Sequence, residues 1–244
     1  MIQINNLTKS YGTFKAVDNI SLTVPSGKIV GFLGPNGAGK TTTIKMVTGV
    51  LSTDSGSVLI NGVNMVTDPI AAKKQIGYIP DNNDVFLRLK GIEYVNFIAD
   101  IYNVDSEVRK ERIKHYSELF EMENNLNDKI MSYSHGMRQK IASIAVLVTD
   151  PEVWILDEPM TGLDPNSFAK LKKIMRERAD NGKTVFFSTH VLDVAEKICD
   201  EVAIIKGGKL RFYGTLEDLK ASVGNDGSLE ELFLELTDAD SVRE

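Results

Sequence analysis

Residues 29–43 read I-V-G-F-L-G-P-N-G-A-G-K-T-T-T, and this stretch constrains the fold more than any other. The apolar run 29–33 reads as a buried strand. It breaks into a loop made of Gly34, Pro35, Asn36, Gly37, Ala38 and Gly39, after which Lys40, Thr41 and Thr42 open a helical pattern. Gly34, Gly39, Lys40 and Thr41 fit G-x-x-x-x-G-K-[ST] in the strand–loop–helix context that the motif needs. Each residue type has a reason to be there. Glycines let backbone N–H groups turn inward and meet phosphate oxygens with no Cβ in the way. The helix N-terminus adds unpaired N–H groups and the positive end of a dipole. Lys40 can carry a mobile positive charge to the β- and γ-phosphates, and the Thr41 hydroxyl is a hard oxygen ligand for Mg²⁺. The stretch therefore predicts a nucleotide-binding α/β core.

The chain has 244 residues, 42% of them hydrophobic and 25% charged, which suits one large α/β domain or a core with a lobe. A net charge of −6 argues against general nucleic-acid binding, which needs a basic face. The single cysteine, Cys199, excludes a disulfide framework, suits a reducing compartment and reads as a small buried hydrophobe. The polar N-terminus carries no visible signal peptide, and the longest apolar runs fall far short of the roughly 20 residues that span a bilayer. A membrane role would come through a partner.

Ile2, Ile4 and Leu7 begin an alternating strand, 20–24 is another, and 57–60 ends in the hairpin signal Asn61-Gly62, so the first sixty residues predict short antiparallel strands around the phosphate loop. From about 82 to 150 the texture is helical. Ile92, Val95, Phe97, Ile98 and Ile101 recur at helical spacing, and Ser106 is read as the cap of a helix carrying Ile113, Tyr116, Leu119 and Phe120. The mixed-charge run 109–112 reads as a solvated helix face. The α/β pattern resumes with strands at 153–156, 184–188, 202–205 and 209–213, and with helices from Pro165 to near Gly182 and over 191–199. Short capped helices follow within 215–237, one started by Thr215 with Asp218 and one by Ser228 with Glu231.

Asp157 and Glu158 are paired carboxylates at the exit of a buried strand, on the edge where ligands bind in open α/β sheets. Asp157 is placed to hold Mg²⁺ as a second anchor beside Thr41, and Glu158 to act as general base on an attacking water. His190 follows the strand 184–188 and should emerge at the same edge, where a donor to the γ-phosphate or the water makes chemical sense. Ser134 caps a helix over 137–148 and, with Gly136, forms a second anion-ready helix start far along the chain from the first. Two half-sites on one chain suggest that they meet across a dimer.

Taken together, these motifs resemble the ATP-binding subunit of an ABC transporter over essentially the whole of residues 1–244. Tyr11 resembles the aromatic that stacks on adenine, and Tyr133-Ser134-His135-Gly136-Met137-Arg138-Gln139 resembles the family signature. Asp157-Glu158 is similar to the Walker B pair, Gly162-Leu163-Asp164 to the D-loop and His190 to the switch histidine. The resemblance implies a P-loop NTPase fold with a RecA-like core, an antiparallel β subdomain and an inserted α-helical subdomain. It also implies a head-to-tail dimer, most simply a homodimer, with ATP and Mg²⁺ between one chain's phosphate loop and the other's Ser134 and Gly136. An integral membrane permease subunit would be the partner, at the cytoplasmic face of the membrane, and no nucleic acid. The Y-S-x-G-M-R-Q form and the terminus 228–237 are similar to exporters of the drug- and antibiotic-resistance type.

Three residues depart from the family pattern. Tyr133 replaces a leucine, His135 replaces a glycine, and Asp81, after Ile76-Gly77-Tyr78-Ile79-Pro80, stands where the family has glutamine. As an anion Asp81 would bind Mg²⁺ if it reached, and would otherwise repel Glu158 and the γ-phosphate. The expectation is a site that binds ATP with altered coupling to the membrane subunit. Two other readings stand beside the transport motor: a soluble ABC-type ATPase acting on DNA or ribosomes, and a pseudo-ATPase supported only by Asp81.

Overall fold

The computed structural model describes residues 1–82 and 86–223. The chain opens with β1 (Ile2–Tyr11), β2 (Phe14–Val24) and β3 (Ile29–Leu33), then α1 (Lys40–Val47). It continues through β4 (Ser55–Ile60), β5 (Val63–Asn64), α2 (Pro69–Lys73) and β6 (Ile76–Ile79). A run of helices follows: α3 (Gly91–Ile101), α4 (Ser106–Leu119), a 3-10 turn at Ile130–Ser132, and α5 (His135–Val148). The alternating pattern then returns with β7 (Val153–Leu156), α6 (Pro165–Asp180), β8 (Thr184–Thr189), α7 (Leu192–Ile198), β9 (Glu201–Lys206), β10 (Lys209–Gly214) and α8 (Leu216–Val223).

Two sheets result. One is antiparallel, in the order β2-β1-β4-β5; the other runs β10-β9-β3-β8-β7-β6. In the second, β9, β3, β8, β7 and β6 are parallel and β10 closes the edge antiparallel to β9. The central parallel strands β3, β7 and β8 are wholly buried, so their residues sort by pleat and not by polarity. Val30, Phe32, Val153, Ile155 and Phe186 point into a core shared with the antiparallel sheet and α1. Ile29, Trp154, Leu156, Val185 and Phe187 point the other way, into a core shared with α3, α4, α5 and α6.

The register brings the chemistry to one edge. Leu33 pairs with Thr189, Leu156 with Phe187 and Ile79 with Leu156, so the loops after β3, β8, β7 and β6 leave the sheet side by side. These loops carry the glycine loop, His190, Asp157-Glu158 and Asp81, as an open parallel sheet requires of a ligand-binding edge.

Most sequence expectations hold. The Asn61-Gly62 turn joins β4 to β5, with Ile60 facing Val63. Thr215 and Asp218 exchange hydrogen bonds at the start of α8, Asp218 N–H to Thr215 Oγ1 at 3.0 Å and Thr215 N–H to Asp218 Oδ2 at 2.9 Å. Cys199 packs against both neighbouring clusters, and burial pushes its thiol well above the ordinary range. Two details are corrected. The cap of α4 is Asp105, whose carboxylate accepts from Glu107 N–H at 2.9 Å; Ser106 is the first helical residue. The run 109–112 is only half solvated, because Arg109 pairs with Asp100 at 2.5 Å and Arg112 donates to the Val148 carbonyl at 2.9 Å. Arg112 thereby ties α4 to Asp150, which also binds Arg178 and Lys183. The expected helix at Ser228–Glu231 lies outside the described residues.

Candidate active site

The phosphate loop is shaped by backbone geometry first. Gly39 caps α1 at φ +107°, and a Cβ there would lie 2.4 Å from the Ala16 carbonyl oxygen. Only glycine meets both demands. The turn carries the chain into α1 and buries Lys40, whose ammonium donates to the carbonyls of Gly34 at 2.7 Å and Pro35 at 3.2 Å.

Opposite this lysine stands Glu158, with Oε1 at 3.4 Å from Lys40 Nζ and Oε2 at 3.1 Å from His190 Nδ1. Glu158 has φ +48°, a conformation that costs a non-glycine residue roughly 1–3 kcal/mol unless the surroundings hold it. Ser188 holds it. The Glu158 N–H donates to Ser188 Oγ at 2.9 Å, and Ser188 in turn donates to Asp157 Oδ1 at 2.5 Å. One hydroxyl near the end of β8 thus holds the Asp157 carboxylate and the Glu158 backbone just past the end of β7. Replacing Ser188 with alanine strands a buried carboxylate oxygen and frees the loop. Chemical denaturation is expected to show a loss of about 1–3 kcal/mol, with reduced ATP turnover. Unchanged stability and turnover would refute this role.

Asp157 is fully buried, and its Oδ2 has no hydrogen-bond partner of good geometry among the described residues. Burial pushes this carboxyl above the ordinary range; the Ser188 and Thr41 hydroxyls oppose the shift, while the charges of Asp81 and Glu158 add to it. A buried carboxylate oxygen left open beside a threonine hydroxyl fits a hard divalent cation. No three histidine, cysteine or carboxylate side chains among the described residues converge on a metal-sized space, so a cation here needs further oxygens from its ligand and water.

Between these groups lies a cleft of about 330 Å³. Its floor is Pro35, Asn36, Gly37, Gly39, Lys40, Thr41 and Thr42; Asp81 and Glu158 form one wall, and Tyr11, Phe14 and Ala16 the other. Tyr11 and Phe14 pair across the β1–β2 hairpin and expose 53% and 62% of their surface. Two exposed aromatic rings at the mouth of a phosphate loop make a stacking surface for a base. Phe14 was not anticipated. Its signal was present in the sequence as the aromatic just past the Gly12 turn, facing Tyr11.

Ser134, Gly136 and Asp164 do not line this cleft. Ser134 is exposed and caps α5, accepting from Met137 N–H at 3.3 Å. Gly136 sits so close to Gly162 that a Cβ would lie 2.7 Å from its carbonyl oxygen. Asp164 caps α6, accepting from Ser167 N–H at 2.9 Å and Ser167 Oγ at 2.6 Å, and pairs with Lys140 at 3.3 Å. The hydrogen bonds from Ser167, with Lys140, hold its carboxyl well below the ordinary range.

Residues 17–161 match the family model described as ABC transporter. The full length of the chain is 34% identical to the ABC-type transporter ATP-binding protein EcsA of Bacillus subtilis, covering 99% of that protein. It is 33% identical to the linearmycin resistance ATP-binding protein LnrL of Bacillus subtilis, over 93% of this chain and 73% of the relative. A solved structure described as the ATP binding subunit of an ABC transporter superimposes with a TM-score of 0.92 at 30% identity, covering 97% of this chain and 99% of the other.

Proposed function

Since this chain belongs to the ABC transporter family, as an ATP-binding subunit and ATPase, we propose that it powers an exporter through ATP-driven closure of a dimer coupled to separate membrane subunits. The observation that carries this reading is the division of the site. Lys40 and Glu158 line one cleft, with His190 against Glu158, whereas Ser134 and Gly136, a second anion-ready helix start, lie outside it. A second copy would bring its Ser134 and Gly136 to the open side of the first copy's phosphate loop.

In this arrangement the backbone N–H groups of residues 36–42 and the Lys40 ammonium bind the β- and γ-phosphates of ATP. Tyr11, with Phe14, stacks on the base. Glu158 takes the proton of the in-line water, and His190, bound to Glu158, orients that carboxylate and donates toward the γ-phosphate. Thr41, Asp157 and Asp81 are the residues that would hold Mg²⁺. When bound, the ion offsets phosphate charge during transfer. Ser134, Gly136 and Asp164 act across the dimer.

We read residues 1–244 as a single ABC ATPase domain, with about 82–150 as a helical subdomain that passes dimer motion to the membrane partner. Among the described residues no helix is long and apolar enough to cross a membrane. The family membership supports attachment at the cytoplasmic face through a permease subunit. The exporter direction is supported by the Y-S-x-G-M-R-Q signature and by the similarity to LnrL. The test is affinity purification from detergent-solubilised membranes of the host. Co-purification of a polytopic membrane protein is the expected outcome. Recovery of ribosomes or DNA-repair factors in its place would leave an ATPase and remove transport.

A further inference from the structure

The cleft has an unusual charge balance for something that takes a polyphosphate. Lys40 is the one cationic side chain among the described residues that line it, and Asp81 and Glu158 both line it too. Fully buried Asp157 lies just behind. Lys40 is also partly committed, since it faces Glu158 at 3.4 Å and donates to two carbonyls. Asp81 is exposed at the start of the loop after β6, so nothing buried obliges this residue to be acidic. Its field nonetheless reaches inward: after burial itself, the Asp157 and Asp81 charges help push the Tyr78 hydroxyl upward.

We propose that Asp81 is a selectivity residue for the metal complex of the nucleotide: its carboxylate repels metal-free nucleoside triphosphate and admits it as the complex with a divalent cation. This rests on the ATP-site reading above. The physical basis is simple. Metal-free ATP carries several negative charges into a low-dielectric cleft whose lysine already has a carboxylate partner. A divalent cation offsets two of those charges and turns the same Asp81 carboxylate from a repulsive neighbour into an attractive one. A neutral amide at this position would exert no repulsion and, through its carbonyl oxygen, only a weaker attraction for the cation.

Equilibrium binding of a trinitrophenyl-labelled ATP to the full chain tests this, in EDTA and in excess Mg²⁺, for wild type, Asp81→Asn and Asp81→Gln. In EDTA both variants are expected to bind about tenfold more tightly than wild type, the scale of one unit charge near a partly exposed site. In Mg²⁺ the gain disappears or reverses, so the ratio of the two affinities falls about tenfold. Spectroscopic titration of Mn²⁺ into the ADP complex supplies a second readout, with weaker Mn²⁺ binding expected in both variants. An unchanged affinity ratio, together with unchanged Mn²⁺ binding, overturns the role of Asp81. Failure of wild type to bind the Mg²⁺ complex at all would instead overturn the ATP-site reading on which it stands.

Discussion

Glu158→Gln is expected to lower ATP hydrolysis by about two to four orders of magnitude while ATP remains bound. Glutamine keeps the length and the hydrogen-bonding reach of the side chain, so the contact with His190 Nδ1 at 3.1 Å can persist. It cannot accept a proton from water. It also releases Lys40 from an anion 3.4 Å away, which frees that ammonium for the γ-phosphate and favours binding. With chemistry blocked and binding intact, the closed dimer should accumulate. Size-exclusion chromatography in Mg²⁺ and ATP reads the second effect and single-turnover hydrolysis the first. Wild-type turnover would remove Glu158 from the reaction, and an ATP-loaded variant that stays monomeric would remove the closure mechanism.

Lys40→Ala should act on binding before chemistry. The Lys40 side chain is 6% exposed, so its replacement removes a buried charge that would meet two phosphates. Charge-assisted hydrogen bonds of this kind are worth about 1.5–3 kcal/mol each, which predicts a loss of ATP affinity of about tenfold to a hundredfold or more. Two structural losses add to it. The Gly34 carbonyl loses its 2.7 Å donor, and Glu158 loses the cation 3.4 Å from its Oε1. Calorimetric titration of the variant with ATP in Mg²⁺ gives the number directly. An affinity within about threefold of wild type would overturn the assignment of the phosphate loop.

How much of this could be read from the chain alone follows from the range of each interaction. Gly34, Lys40 and Thr41 were legible because a strand, a turn and a helix start are local events with a fixed residue code. Asp157-Glu158 was legible because a short apolar run that ends in two acids has few places to go in a parallel sheet. The coupling among these groups was not. The approach of Lys40 to Glu158, and the hydroxyl of Ser188 shared between Asp157 Oδ1 and the Glu158 N–H, depend on the pairing of β3, β7 and β8. A serine near the end of a β-strand carries no mark of that duty. Local errors have local causes. Asp105 and Ser106 are adjacent residues of equal capping ability, and the longer, charged side chain takes the first-turn N–H groups. Helix α2 spans only Pro69–Lys73, too short for periodicity to reveal, although Asp68-Pro69 is a capping signal.

Gly136 and Gly162 give the molecule a way to keep time. One short loop begins with Asp157 and Glu158 at this chain's own phosphate cleft, and five residues later its Gly162 lies under the first turn of α5. The fit leaves no slack: a Cβ on Gly162 would sit 2.2 Å from the His135 ring, and one on Gly136 would be 2.7 Å from the Gly162 carbonyl oxygen. Packing this tight transmits displacement and does not absorb it. A shift of Glu158 at this chain's own cleft is therefore passed to the helix start that, in the proposed dimer, would face the partner's nucleotide. If two such chains pair as proposed, the linkage would run in both directions and each site would register the state of the other.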